Sequence, residues 1–91
     1  MIQRVVHVVN ELGLHARAAA KLVKLTAQFE SDVKLSRRSV NQRIDGKSIL
    51  GILLLAAAKG TELEVTVDGP DEESAIQKIV GLFENRFGEE K

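Results

Sequence analysis

Five consecutive residues, Gly13-Leu14-His15-Ala16-Arg17, place an imidazole and a guanidinium two positions apart, where a glycine-marked turn gives way to a helical pattern. A helix start presents backbone N–H groups without intrahelical partners and about half a unit of positive charge. With Arg17 in the first turn, such a place suits an anion, phosphate above all. His15 falls at or beside the N-cap, with its ring off the core-facing side of the helix. Neutral imidazole is a nucleophile, so the chemistry favoured here is covalent phosphorylation of a histidine. Backbone N–H groups and the guanidinium would hold the phosphate. The sequence places no second His, acid or Ser beside His15 to form a triad. On local spacing alone, the commoner reading of a His near an N-cap is a solvated surface residue. His7 lies on a strand with no nameable partner and reads as structural.

Gly46-Lys47-Ser48 has the look of the end of a phosphate-binding P-loop. That motif needs Gly five residues before Gly46, where Asn41 stands, and a large α/β domain around it. The P-loop reading is rejected. The plain role of Ser48 is an N-cap for the helix that follows, and the functional one is a phosphorylation site beside an interaction surface. The residues after it, Ile49, Leu50, Ile52, Leu53, Leu54 and Leu55, are apolar nearly all round a helix and cannot all face one sheet. Either part of this surface is an exposed docking patch, or the helix is wedged between sheet and loop. Arg37-Arg38-Ser39 resembles a basic kinase target, but a hairpin turn explains it better.

The elements that must position these residues follow from hydrophobic period. Ile2–Val9 alternates as a Val-rich strand, with Ile2, Arg4, Val6 and Val8 on one face. Asn10 to Gly13 is a turn. Ala16 to about Gln28 is helix A, whose buried face carries Ala19, Leu22, Val23, Thr26 and Phe29. Asp32–Ser36 is a second strand, and Val40–Ile44 a weak, polar third strand suited to an edge. Ile49–Ala58 reads as helix B, with Gly60 at its C′ position. Glu62–Asp68 alternates cleanly, with Leu63, Val65 and Val67 on one face. Pro70 followed by Asp71, Glu72 and Glu73 opens helix C, lined by Ile76, Ile79, Val80, Phe83 and Phe87. The order βαββαβα, with a tight hairpin between strands two and three, argues an α+β fold. Its sheet is largely antiparallel, with helices on one face and water on the other.

Composition bounds the function. Ninety-one residues are expected to form one domain over 1–91. Lys plus Arg and Asp plus Glu are both 13, so the formal net charge is zero. That argues against a general nucleic-acid binder, whose affinity comes from excess cation. There is no Cys, which excludes a disulfide framework, a thiol nucleophile and a thiolate metal site. All three aromatics are Phe, a poor basis for base stacking. The start of the chain lacks an apolar signal core, and Ile52 to Ala58 is far short of the ~20 residues a membrane span needs. The expectation is a cytoplasmic protein with no metal, no cofactor, no nucleic acid and no membrane insertion.

Taken together, Gly13-Leu14-His15-Ala16-Arg17, Ala19-Ala20, Lys47-Ser48-Ile49-Leu50-Gly51 and Ala58-Lys59-Gly60-Thr61 closely resemble the HPr family. These are the histidine-containing phosphocarriers of the bacterial phosphoenolpyruvate-dependent sugar phosphotransferase system. The resemblance runs from the first strand to helix C. It implies an open-faced β-sandwich with a four-stranded antiparallel sheet. It also implies a stoichiometric carrier rather than an enzyme, phosphorylated by enzyme I on the residue matching His15, at Nδ1, and donating to a histidine of an enzyme IIA domain. Arg17 matches the family's active-site arginine. Ser48 matches a regulatory serine phosphorylated in some bacteria by an HPr kinase/phosphorylase. Ala16, Ala20, Lys24, Ile49, Leu50 and Leu53 match the surface where the family meets its partners, a transcriptional regulator among them. A monomer is expected.

Two departures stand out. Most of the family has Pro directly after the active-site Arg, and this chain has Ala18. The segment between strands two and three, around Arg37 to Arg43, is longer. Two alternatives remain open: a regulatory paralogue of the nitrogen-related branch, which would use the same His15 and Arg17 chemistry, and a regulator acting only by protein binding through helix B. The second needs neither His15 nor Arg17.

Overall fold

The computed structural model describes residues 1–38 and 42–91. Its elements are β1 (Ile2–His7), α1 (Ala16–Thr26), β2 (Asp32–Arg37), β3 (Arg43–Asp45), α2 (Ile49–Leu54), β4 (Glu62–Asp68) and α3 (Glu72–Glu84), followed by a short 3-10 turn at Arg86–Gly88. The four strands form one antiparallel sheet in the order β1-β4-β2-β3. Helices α1 and α3 lie side by side on one face, and α2 packs against α1. This is the open-faced sandwich with order βαββαβα.

Alternation in β4 decides the layering. Leu63, Val65 and Val67 are fully buried against the helices, while Glu62 and Glu64 face the open side, opposite His7 and Val5 of β1. Across the other edge of β4, Val33 and Leu35 of β2 pair with Val67 and Val65, giving the core a continuous apolar floor. Leu22 of α1 and Ile79 and Phe83 of α3 close it from above. Burying each such side chain contributes about 1.5–3 kcal/mol.

Several boundaries differ from the sequence expectation. Strand β1 ends at His7, although Val8 still pairs outward: its N–H donates to Thr61 and its carbonyl accepts from Gly60. Arg37, expected in a turn, is the last residue of β2. The third strand is Arg43–Asp45 rather than Val40–Ile44; it lies at an edge as expected, while Val40, Asn41 and Ser39 fall outside the described residues.

The largest difference is α2, which stops at Leu54 instead of running to Ala58. Ala56 turns left-handed (φ 49°), and its carbonyl accepts from Arg37 Nη2 at 3.1 Å. The turn drops Ala57 beside the loop before α1, where its carbonyl accepts the Leu14 N–H at 2.9 Å. Continued helix would forgo that bond, so tertiary hydrogen bonding overrides the local helical pattern. Gly60 is therefore not a helix C′ residue; it lies in the turn leading to β4, with φ 90°.

Candidate functional site

The loop from Asn10 to Leu14 sets the entry of α1. Gly13 has φ 67°, and a Cβ there would lie 2.5 Å from the Ala57 carbonyl oxygen, so only glycine fits this close backbone approach. Leu14 is buried and anchors the loop. His15 is the N-cap, extended (φ −75°, ψ 178°), and its side chain makes no capping bond. The first helical bond runs from Ala19 N–H to the His15 carbonyl at 2.8 Å. The N–H groups of Ala16, Arg17 and Ala18 therefore stand ahead of the ladder, as an anion site requires. Arg17 is exposed and lines a shallow groove with Leu12, Lys21 and Glu89.

The sequence expectation of no acid beside His15 is overturned. Glu89 Oε2 lies 2.5 Å from His15 Nε2, with the imidazole 26% and the carboxylate 13% exposed. The other carboxylate oxygen, Oε1, accepts from Asn10 Nδ2 at 2.9 Å, and the same amide donates to the Gly13 carbonyl at 2.8 Å. The Asn10 amide first, and then the His15 ring, hold the Glu89 carboxyl below its ordinary range, against a desolvation that pushes it up. Glu89 lies 74 residues from His15 in sequence, and no periodicity links them; only the reversal of the chain after α3 brings them together. His7 also has a partner, the Glu62 carboxylate across the sheet at 3.1 Å.

Ser48 caps α2: its Oγ accepts from the Gly51 N–H at 3.1 Å. Two bonds fix this turn against the end of α1 and the residues just after it. Thr26 Oγ1 donates to the Gly46 carbonyl at 2.8 Å, and Lys47 Nζ to the Phe29 carbonyl at 2.7 Å. Ile52 and Leu55 point into the core, whereas Ile49, Leu50, Leu53 and Leu54 are exposed, Leu50 by 65% and Leu54 by 70%. So α2 is not wedged under a loop. Ala16, Ala20 and Lys24, one turn apart on α1, are exposed as well. No group of three or more His, Asp or Glu among the described residues could hold a metal ion, and no helix among them is long and apolar enough to cross a membrane.

The chain is thus a small open-faced sandwich with a histidine at a helix N-cap and an arginine in the first turn of that helix. The family model for the PTS HPr component phosphorylation site matches residues 2–85. The chain is 47% identical over 89 residues to the phosphocarrier protein HPr of Cupriavidus necator, covering 98% of each. It superposes on the crystal structure of HPr-C-His from Thermoanaerobacter tengcongensis with TM-score 0.94, at 36% identity and full coverage of both chains. An HPr dimer from the same organism matches with TM-score 0.76, at 36% identity, over 98% of this chain and all of that one. The chain belongs to the HPr family of phosphocarriers of the phosphotransferase system.

Proposed function

We propose that this protein carries a phosphoryl group on His15 Nδ1, taken from phospho-enzyme I and passed to a histidine of an enzyme IIA domain. The observation that carries this reading is the placement of the imidazole. It belongs to the N-cap residue of an 11-residue helix, whose first N–H groups, those of Ala16, Arg17 and Ala18, precede the helical ladder, and Arg17 in that turn is exposed. The Nδ1 lone pair attacks phosphorus, a new N–P bond forms, and the donor's N–P bond breaks with its electrons returning to the donor ring. The leading N–H groups and the guanidinium receive the charge on the transferring oxygens. Phosphoryl transfer leans on such positioning and charge stabilisation, so a shallow surface site is sufficient. The same shallowness suits a carrier, since partner histidines must approach from outside.

The docking face combines Ala16, Ala20 and Lys24 of α1 with Ile49, Leu50 and Leu53 of α2. Its apolar residues lie beside Arg17 and Lys24, which would steer an acidic partner despite zero net charge. Ser48, at the start of the same helix, is a phosphorylation site that would oppose this docking by adding about −1.5 to −2 charge. The carrier acts as a cytoplasmic monomer; the dimer seen in a relative is the alternative that sedimentation would reveal.

The experiment is intact mass after incubation with enzyme I, phosphoenolpyruvate and Mg²⁺, with His15→Ala in parallel. One acid-labile phosphate is expected on the parent only. Phosphate on the variant, or none on the parent while a control HPr in the same tube is labelled, would overturn the proposal.

A further inference from the structure

We propose that Glu89, held by Asn10, is a positioning residue for His15: it fixes the ring with Nε2 protonated and Nδ1 presented as the nucleophile. The inference rests on the reading of His15 as the phosphoryl acceptor. A carboxylate accepts hydrogen bonds and donates none, so the 2.5 Å contact between Glu89 Oε2 and Nε2 requires the proton on that nitrogen. The neutral ring then keeps its lone pair on Nδ1.

Glu89 is itself held in place, its carboxylate by Asn10 and its backbone from before and after. Asn10 is fully buried, and both of its described amide bonds point to acceptors, Glu89 Oε1 and the Gly13 carbonyl. Its own Oδ1 has no partner among the described residues, while both amide protons are used as donors. The chain reaches this place through a tight reversal in which Arg86, Phe87 and Gly88 have φ of 55°, 54° and 76°. Left-handed backbone at two non-glycine residues persists only where the surroundings enforce it. Here Phe87 is fully buried, edge-on to Phe83 at 4.9 Å between ring centroids. Lys21 Nζ grips the Phe87 carbonyl at 2.6 Å, and beyond Glu89 the Lys91 carbonyl accepts the Glu11 N–H at 3.1 Å. Glu89 is thus clamped before and after, with its side chain laid on the imidazole.

The arrangement also serves the transfer. When Nδ1 bonds phosphorus, the proton stays on Nε2 and the ring takes on imidazolium charge. The adjacent carboxylate stabilises that charge without taking the proton, and the ring returns to neutrality when the phosphoryl group leaves. Glu89 touches no phosphoryl atom in this scheme and acts through the ring alone.

The test compares the parent with Glu89→Ala and Glu89→Gln by nitrogen NMR of the His15 ring and by the rate of phosphorylation from phosphoenolpyruvate and enzyme I. The parent is expected to show an Nε2–H proton protected from exchange. Glu89→Ala should lose that protection and be phosphorylated about 10–100-fold more slowly, measured well below its unfolding midpoint because the Asn10 amide also loses a partner. Glu89→Gln, whose amide oxygen still accepts from Nε2 but carries no charge, should keep the tautomer and fall between. An Ala variant with the parent's Nε2–H protection, or with the parent's rate, would overturn the inference. If the parent itself takes no phosphate, the carrier reading fails, while the NMR comparison still decides whether Glu89 sets the ring.

Discussion

At the scale of single residues, the chain uses carboxylates to tie distant loops together. Glu89 does so at the site, and Asp71 does so at the opposite end of α1. Asp71 is the N-cap of α3, but its side chain does not cap that helix. Instead its two oxygens accept the Glu30 and Ser31 N–H groups, at 2.9 and 3.0 Å, and the Ser31 hydroxyl. The Ser31 hydroxyl first, and the Glu30 N–H next, hold the Asp71 carboxyl below its ordinary range. A carboxyl depressed by folding contributes stability above its unfolded value of about 4, and that contribution is lost as pH falls through the folded value. Asp71→Asn should therefore be less stable than the parent at pH 7, and the gap should close in progressively more acidic buffer. Urea unfolding across that range measures it; a gap constant with pH would show that the charge is not what ties the loops.

Among elements, the first turn of α1 and the short α2 matter most. Ala18 stands where most of the family has Pro. It is the third residue of α1 and fully buried, and its N–H precedes the first helical bond. Pro at that place removes no hydrogen bond and fixes φ near the helical value, though it also restricts Arg17 before it. Ala18→Pro is expected to shift unfolding by no more than about 1 kcal/mol and to change the transfer rate modestly, since it removes one of three leading N–H groups. Complete rescue of an otherwise inert protein would contradict this. Helix α2 has six residues, too few to persist alone. Its Ser48 cap, the buried Ile52 and Leu55, and the Arg37 bond to the Ala56 carbonyl hold it in place. An exposed apolar face can be carried on so short a helix only because its ends are fixed.

For the molecule as a whole, the proposed docking face on α1 and α2 joins exposed apolar residues to Arg17 and Lys24 on a protein of zero net charge. Ser48→Asp isolates the charge effect, because Asp is as good an N-cap as Ser and should leave the fold stable. Phosphorylation of His15 by enzyme I should slow, with the loss in association rather than in the chemical step. Raising salt should lower the parent's association rate and narrow the difference between the two proteins, since exposed charges are screened within about 8 Å at physiological ionic strength. Unchanged kinetics for Ser48→Asp would remove the proposed electrostatic brake.

Local pattern was enough to find what is repetitive or adjacent. Alternation in Glu62–Asp68, the helical spacing of Ala19, Leu22 and Thr26, and the Pro70 start each reflect which face is buried, and burial is written in residue type. The placement of His15 and Arg17 at a helix start was legible because a cap and its first turn are neighbours in sequence. The end of α2 was not legible: apolar residues continue to Ala58, and a bond from Leu14 to the Ala57 carbonyl, across 43 residues, decides where the helix stops. Exposure of Leu50 and Leu54 was equally hidden, since a stripe apolar all round does not say which side meets the sheet. The partner of His15 lay furthest from reach. Glu89 is an unremarkable acid in a charged run, and only the left-handed reversal at Arg86–Phe87, pinned by a buried ring, brings its carboxylate onto the imidazole. Sequence alone determined the fold class and put the candidate histidine at a helix start; the tertiary structure decided how that histidine is held, because hydrogen bonds between distant segments leave no period to read.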